Sequence, residues 1–529
     1  MLVLSNLKYL HPNKELLFHN LQFTVNQGDK IALVGNNGAG KSTVLKIIAG
    51  ALQPVSGEVH LRTEAYYVPQ HFGQYDDQTI AEALGIDKKL HALQEILEGH
   101  VTEENMTILN DDWDLTERSA EALGAWSLQS LELSQKMGSL SGGQKTKVFL
   151  AGISIHRPQL ILMDEPSNHL DHDGKKMLYD LMQRTNATMI VVSHDRGLLN
   201  LLDTTCELTK DGIAVYGGNY DFYKEQKLIE SDALLQHLHA KEKALRKAKE
   251  KERETMERQQ KLDARGKSKQ EQSGVARIMM NTLRNNAENS TSRLKSVHAE
   301  KIGDLSRDIR DLRTSLPDLD KMKFGFDHSG LHKGKILFTA RNINFYYAGK
   351  PLWNEGINIQ IASGERIALK GLNGSGKTTL LKIVLGIMEP TMGTVYRAGN
   401  KAIYIDQDYS LIDNTLSVYE QAQTYNTSAL QEHEIKIRLN RFLFDKNGWD
   451  KPCSVLSGGE RMRLILCCLT IQSQAPDMII LDEPTNNLDI QNIEILTAAL
   501  NDYQGTLVVV SHDEQFLKEL QTERVIRLI

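Results

Sequence analysis

The sequence predicts an α/β protein in which one unit occurs twice, the two copies joined by an α-helical hairpin. Three observations predict it. The stretch GDKIALVGNNGAGKSTVLKIIAG from Gly28 returns as GERIALKGLNGSGKTTLLKIVLG from Gly364, an offset of 336, and self-similarity of this kind marks a tandem duplication. In each copy, short apolar runs of buried-strand character (IALV and LILMD, IALK and MIILD) stand beside helical patterns. Between the copies, residues 224 to 323 hold no Phe, Trp or Tyr in a chain that is 6% aromatic, so no third globular core is expected there.

Composition narrows the class. At 529 residues the chain is too long for one ordinary core, and length alone suggests about three units. With 40% apolar and 25% charged residues it has the balance of a soluble globular protein. The longest apolar stretch, Leu464 to Ile471, holds eight residues including a threonine, whereas a membrane helix needs about 20. The N-terminus MLVLSNLKYL lacks the basic region and cleavage site of a secretory signal, and Cys206, Cys453, Cys467 and Cys468 show no metal or disulfide spacing. A cytoplasmic protein follows. The chain closes on VIRLI directly after the last expected strand, so no C-terminal extension is expected.

The first element with chemistry is the loop Gly35, Asn36, Asn37, Gly38, Ala39, Gly40, Lys41, Ser42, Thr43, matched in the second copy by Gly371, Leu372, Asn373, Gly374, Ser375, Gly376, Lys377, Thr378, Thr379. Both satisfy GxxxxGK[ST] between a strand and a helix, the context that a phosphate-binding loop requires. The glycines let backbone N–H groups turn toward phosphate oxygens, the helix N-terminus adds positive potential, and the lysine bridges the outer phosphates. Ser42 and Thr378 supply a hydroxyl for Mg²⁺. Next come LILMD, ending at Asp164, and MIILD, ending at Asp482. A carboxylate at the C-terminal end of a buried strand can reach the same ion, in part through water. Glu165 and Glu483 follow directly, placed to orient and deprotonate an attacking water.

The linker is expected to be a hairpin. Leu228, Leu235, Leu238 and Leu245 keep heptad spacing, and Ile302, Leu305, Ile309, Leu312 and Leu316 alternate steps of three and four. The polar stretch SKQEQS between Gly266 and Gly274 is expected at the tip, on an arm of about 40 residues and roughly 60 Å. Domain limits are set at 1–223, 224–323 and 324–529. From Lys241 to Lys295 there are 16 Lys+Arg against 8 Asp+Glu, leaving 46 against 60 for the remainder of the chain, so the net charge of −6 divides into +8 and −14. Such an arm suits a phosphate backbone. A solvated charged coiled coil is the plain alternative.

Together, GxxxxGK[ST], LSGGQ from Leu140 with LSGGE from Leu456, and the strand-terminal Asp-Glu pairs resemble ATP-binding cassette (ABC) domains. The resemblance implies two ABC-type P-loop NTPase domains paired head to tail within a monomer, each ATP held between one P-loop and the other copy's signature. One site would combine Lys41, Ser42, Gln70, Asp164, Glu165 and His194 with Ser457, Gly458 and Gly459. The other would combine Lys377, Thr378, Gln407, Asp482, Glu483 and His512 with Ser141, Gly142 and Gly143. It makes Gln70 and Gln407 the Q-loop residues beside the metal, His194 and His512 the switch histidines, and Tyr347 an adenine-stacking ring whose counterpart is His11 or Tyr9. Both sites are expected to hydrolyse ATP.

EPSNHLD from Glu165, EPTNNLD from Glu483, YGGNYDFY before the linker and LSGGERMRL are similar to the F subfamily of ABC proteins. In place of that subfamily's EPTNHLD, one copy has Ser167 for Thr and the other Asn487 for His. The subfamily implies a ribosome partner: the linker enters the exit-tRNA site and its tip approaches rRNA and peptidyl tRNA, through Arg265, Lys267, Lys269, Arg277 and Arg284. The outcomes it allows include relief of stalled translation, tuning of initiation, subunit assembly and antibiotic resistance by ribosome protection. No transmembrane partner is expected. The competing classes are an ATPase subunit of a membrane transporter and a scaffold with vestigial turnover. About 20 extra residues between Gln70 and Ser141, including the acidic DDWDLTE, suggest at most a short arm on the first copy.

Overall fold

A computed structural model describes residues 1–11, 16–210, 212–272, 277–315, 331–347, 349–372, 374–486 and 488–528; in the linker, the side chains of 263, 266–291, 294, 295, 314 and 315 lie outside that description. Chain contacts divide the protein into one unit of Met1–Tyr223 with Lys323–Ile529 and another of Lys224–Met322.

Both copies in the first unit have the α/β fold that the repeat predicts. Among the described residues, the first copy carries a six-stranded sheet in the order Ala65–Val68, Leu160–Asp164, Thr188–Val192, Lys30–Val34, Thr204–Thr209, Gly212–Tyr216, parallel except at the last pair. The second carries the parallel order Ala402–Ile405, Met478–Asp482, Thr506–Val510, Arg366–Gly371, Arg524–Leu528. Every residue of Leu160–Asp164, Thr188–Val192, Met478–Asp482 and Thr506–Val510 is buried. Strands covered on both faces read as unbroken apolar runs, which is why LILMD, TMIVV, MIILD and TLVVV are legible as strands.

A three-stranded antiparallel sheet closes one side of each copy: Leu16–Val25, Leu2–Leu10, Ser56–Leu61 in the first and Ile357–Ala362, Ile336–Asn344, Met392–Arg397 in the second. Between the sheets lies an apolar core. In the first copy Leu4, Phe18, Leu33, Leu45, Ile48 and Leu162 belong to it, and in the second Phe338, Trp353, Ile367, Leu381 and Ile480. The helices Lys41–Ile48 and Lys377–Val384 bury one face in these cores, so each P-loop is held by the packing of the helix that it opens. The extra residues of the first copy fold as helices Asp87–Leu97 and Glu103–Leu109, packed on one another.

The linker unit holds helix Tyr220–Gln272 from Lys224 onward and helix Arg277–Ser315. They pack antiparallel through Leu238 and Ile309, flanked by Leu234, Leu235, Leu245 and Leu312, with Lys241 2.7 Å from Asp308 and Arg313 2.7 Å from Glu242. Two expectations change. Leu228 is exposed and not part of the seam. The first helix also continues through Gly266 and most of SKQEQS to Gln272, a length of 53 residues and about 80 Å. One glycine costs a helix only about 1 kcal/mol, and the Lys, Gln, Glu and Arg around it are good helix formers. Residues 273–276, where a tip could turn, and Leu316 lie outside the described residues.

Leu238→Ala should weaken the base of the hairpin by about 2 kcal/mol, read as faster amide hydrogen exchange over residues 235–245. Asp308→Ala should change it little, because solvent-exposed ion pairs contribute little. Equal acceleration by the two variants would mean that charge, not the apolar contact, holds the helices.

Candidate nucleotide sites

Each P-loop is shaped by a glycine in the left-handed region. Gly40 (φ 100°) and Gly376 (φ 87°) are the N-caps of the helices that follow. A Cβ at Gly40 would stand 2.8 Å from the Leu17 side chain, and one at Gly376 2.6 Å from that of Leu352, so neither backbone conformation nor space admits a larger residue. Lys41 Nζ donates to the carbonyls of Gly35 (2.6 Å) and Asn36 (3.1 Å), and Lys377 Nζ to those of Gly371 (2.7 Å) and Leu372 (3.1 Å). Burial lowers the pKa of both lysines. Ser42 Oγ donates to Asp164 Oδ1 and Thr378 Oγ1 to Asp482 Oδ2, each at 3.0 Å. The P-loop hydroxyl and the strand-terminal carboxylate are thus brought together twice.

Glu165 and Glu483 sit just past their strands at φ 53° and 51°, a conformation uncommon for a non-glycine residue. Each backbone N–H donates to the adjacent strand end, Glu165 to Val192 (2.8 Å) and Glu483 to Val510 (2.9 Å). The turn directs the carboxylates toward the histidines: the His194 N–H donates to Glu165 Oε2 at 3.2 Å and the His512 N–H to Glu483 Oε2 at 3.4 Å. Nε2 of His194 lies 3.1 Å from Glu165 Oε1, and Nε2 of His512 lies 3.4 Å from Glu483 Oε1. Burial, aided by the charge of Asp164, pushes Glu165 up to about 8; burial pushes Glu483 up to about 7. Burial and then the P-loop lysine bring His194 and His512 down to about 4.

Glu165 Oε1, His194 Nδ1, Ser375 Oγ and Glu483 Oε1 are buried without a hydrogen-bond partner. Orphaned polar atoms beside two lysines, two hydroxyls and four carboxylates suit a polyphosphate with a divalent cation, and nothing in the set would obstruct one.

Across from the second P-loop stands the first copy's helix Gly142–His156. Ser141 is its N-cap, accepting from the Gln144 N–H while the Gln144 side chain accepts from the Ser141 N–H, a reciprocal capping box. A cleft of about 980 Å³ is lined by Ser141, Gly142 and Gly143 from this side and by Gly374, Gly376, Lys377, Thr378, Thr379, Gln407, Asp482, Glu483, His512 and Tyr347 from the other. Tyr347 is exposed, with its hydroxyl 3.1 Å from Thr379 Oγ1. Asn373 and Asn487 lie outside the described residues.

A family model described as ABC transporter matches residues 18–168 and 354–486. The chain is 30% identical to ABC transporter F family member 5 of Arabidopsis thaliana, over 96% of its own length and 72% of the relative's. It is 30% identical to the probable ATP-binding protein YbiT of Escherichia coli O157:H7, over 99% and 95%. The chain belongs to the F subfamily of ATP-binding cassette proteins. It is also 30% identical to the ATP-binding protein Uup of Escherichia coli K12, over 96% and 77%. In fold it resembles the RNase-L inhibitor (TM-score 0.61, 20% identity, covering 99% of this chain and 87% of that one). It resembles equally an archaeal ribosome recycling factor solved with a ribosomal stalk protein (TM-score 0.60, 19% identity, 99% and 87%). The two copies are ATP-binding cassettes, and the protein is an ATPase of that class.

The first site is assembled through a different contact. Asp489, N-cap of helix Ile490–Asp502 in the second cassette, accepts from the Asn37 N–H of the first P-loop at 3.1 Å. Gly35, Gly38, Ala39 and Thr43 complete that loop, and Gln70 follows the strand Ala65–Val68, half-buried. Ser457 caps Gly458–Ile471 through a capping box with Glu460, and Gly459 leaves room for the Asn492 amide, 2.1 Å from where its Cβ would stand. No contact of Ser457, Gly458 or Gly459 with the first P-loop appears among the described residues' hydrogen bonds. Of the two candidates for adenine stacking there, Tyr9 packs against Phe18 and the core, while His11 is exposed.

Several contributors escape the sequence reading. Asp489 had a signal, since Asp171 stands in register 318 residues earlier and lines the second site's cleft. Trp353 Nε1 donates to the Ser375 carbonyl at 2.9 Å, bracing the second P-loop, while the first has Phe18 beneath Gly40. Arg196 crosses between cassettes, with Nη1 2.6 Å from Glu519 and Nη2 3.7 Å from Glu494. It had no signal: its register counterpart is Glu514.

Arg196 is buried, so Arg196→Ala leaves two carboxylates facing the vacated space and should destabilise the cassette unit by about 3 kcal/mol. Pairing Arg196→Met with Glu519→Gln should restore most of it. Chemical denaturation measures both, and an Arg196→Ala protein as stable as its parent would remove the pair from the account of how the cassettes hold together.

Proposed function

We propose that this protein closes on ATP, engages the ribosome through its linker hairpin at the exit-tRNA site, and reopens after hydrolysis to leave, so that binding is the output and hydrolysis the timer. The observation that carries the ribosomal part is the separation of charge: a +8 stretch, Lys241 to Lys295, between cassettes that with the rest of the chain sum to −14. Counterion release from a phosphate backbone gives such an arm affinity without a base sequence to read. One protein of similar fold is a ribosome recycling factor, which supports the same reading. Arg265 is exposed on the first linker helix, and Lys267, Lys269, Arg277 and Arg284 fall on the linker helices as well. No helix among the described residues is long and apolar enough to cross a membrane; a transporter subunit would share that property, and the basic hairpin is what favours the ribosome.

In the catalytic part, Lys41 and Lys377 exchange their loop carbonyls for phosphate oxygens, and the signature helices present Ser141, Gly142, Gly143 and Ser457, Gly458, Gly459 to the γ-phosphate, where N-terminal N–H groups attract an anion. Ser42, Asp164 and Gln70 would hold magnesium in one site, and Thr378, Asp482 and Gln407 in the other. That ion supplies charge neutralisation at the outer phosphates. Glu165 and Glu483, buried and raised toward neutral pH, can take a proton from water where a carboxylate of ordinary pKa would be a weaker base. His194 and His512, held neutral, keep each glutamate in place through their backbone N–H groups and offer a ring to the γ-phosphate.

The double variant Glu165→Gln, Glu483→Gln should hydrolyse ATP at least about a hundredfold more slowly and, with ATP, sediment with ribosomes. Undiminished turnover would remove both glutamates from catalysis, and sedimentation with membranes would favour the transporter reading. Charge reversal at Arg265, Lys267, Lys269, Arg277 and Arg284 should weaken ribosome binding and flatten its salt dependence; unchanged affinity across a salt series would end the RNA-contact idea. Drug-susceptibility tests on cells expressing the parent decide whether the ribosome is protected from an antibiotic.

A further inference from the structure

The strand-terminal aspartates receive a hydroxyl from a second direction. Tyr67, on the strand Ala65–Val68 and opposite Leu162, donates to Asp164 Oδ2 at 3.2 Å, while Ser42 holds Oδ1. Tyr404, on Ala402–Ile405 and opposite Ile480, donates to Asp482 Oδ2 at 2.9 Å, the oxygen that Thr378 also reaches. The two tyrosines are 337 residues apart, as are Gln70 and Gln407, so each stands three residues before its glutamine. Adjacent positions are not kept in this way: Tyr66, whose hydroxyl donates to the Phe149 carbonyl, corresponds to Ile403. A duplicated pair with the same bond to the same aspartate is more than ring packing requires.

We propose that Tyr67 and Tyr404 are positioning residues of the two metal sites, fixing the aspartate's carboxylate by a second hydroxyl donor from the neighbouring strand. This rests on the reading of Asp164 and Asp482 as magnesium ligands. A carboxylate turns about one C–C bond, and a single hydroxyl donor leaves that turn open. A second donor on a neighbouring strand of the same rigid sheet closes it, and ties the aspartate to the strand whose next residues carry Gln70 or Gln407. Partners of this kind typically change metal affinity about 10- to 100-fold when removed.

The test uses the full chain with Glu165→Gln and Glu483→Gln to stop turnover, ATP, and Mn²⁺ as the probe, with free Mn²⁺ followed by electron paramagnetic resonance. Adding Y67F and Y404F should weaken Mn²⁺ binding about tenfold. Y404F alone should weaken one of two sites, and Y67F alone the other, which keeps the proposal open to refutation if the double variant does not fold. In proteins with both glutamates, Y67F and Y404F should shift the Mg²⁺ midpoint of ATPase activity upward by a similar factor, with kcat at saturating Mg²⁺ within about twofold of the parent. Mn²⁺ binding within twofold of the parent in every tyrosine variant would overturn the tyrosine role alone. A parent that binds no Mn²⁺ with ATP would overturn the metal reading of the aspartates and this role with it.

Discussion

A carboxylate placed at the end of a strand buried on both faces has few ways to be satisfied, and much of each site follows from that constraint. Asp164 and Asp482 close runs in which every residue is buried. Water reaches them only at the sheet's C-terminal edge, so their partners must come to that edge. Hydroxyls arrive from the P-loop helix and from the neighbouring strand. Burial raises the pKa of Asp164, and the hydroxyls of Ser42 and Tyr67 work against that rise. The glutamate that follows is turned out of the strand in a left-handed conformation. Strain of this sort is a cost of about 1 to 3 kcal/mol that surrounding packing must sustain, and both cassettes sustain it.

Across the cleft from the second P-loop stands the N-terminus of the first copy's signature helix. The first signature helix is capped by Gln144, a neutral side chain, and the second by Glu460, an acidic one. An added negative charge beside an anion site would oppose it, but Lys451 stands 2.8 Å from Glu460 and offsets it. The sites are thus alike in backbone and unlike in the charges around them. The direct bond from Asn37 to Asp489 and the open cleft before Lys377 are the two ends of that difference.

What the sequence made legible was what it contains twice. The strands, P-loops, terminal acids and histidines could be placed because each copy checked the other, and the buried parallel strands have a pattern that no exposed strand shares. The hairpin was legible in kind, since its leucine spacing is local, but not in extent: helix propensity around Gly266 carried the first helix further than a polar stretch suggested. The contacts between cassettes were harder. Arg196 and its two glutamates are 298 and 323 residues apart along the chain and have no counterpart in register, so nothing in local pattern marks them. Tyr67 and Tyr404 did repeat, but a tyrosine in a strand is ordinary, and only the distance to a carboxylate sets these apart.

The indole beneath the second P-loop carries a last consequence, an optical one. Of the four tryptophans, Trp113 is exposed, Trp126 lies in the first cassette's helical core, and Trp449 donates to the Phe444 carbonyl. Trp353 is bonded to the loop that cradles phosphate, and the first cassette has a phenylalanine at that place. The molecule therefore has a tryptophan bonded to one of its two P-loops and, among the described residues, none bonded to the other, which makes the two loops distinguishable by indole fluorescence in an unlabelled protein.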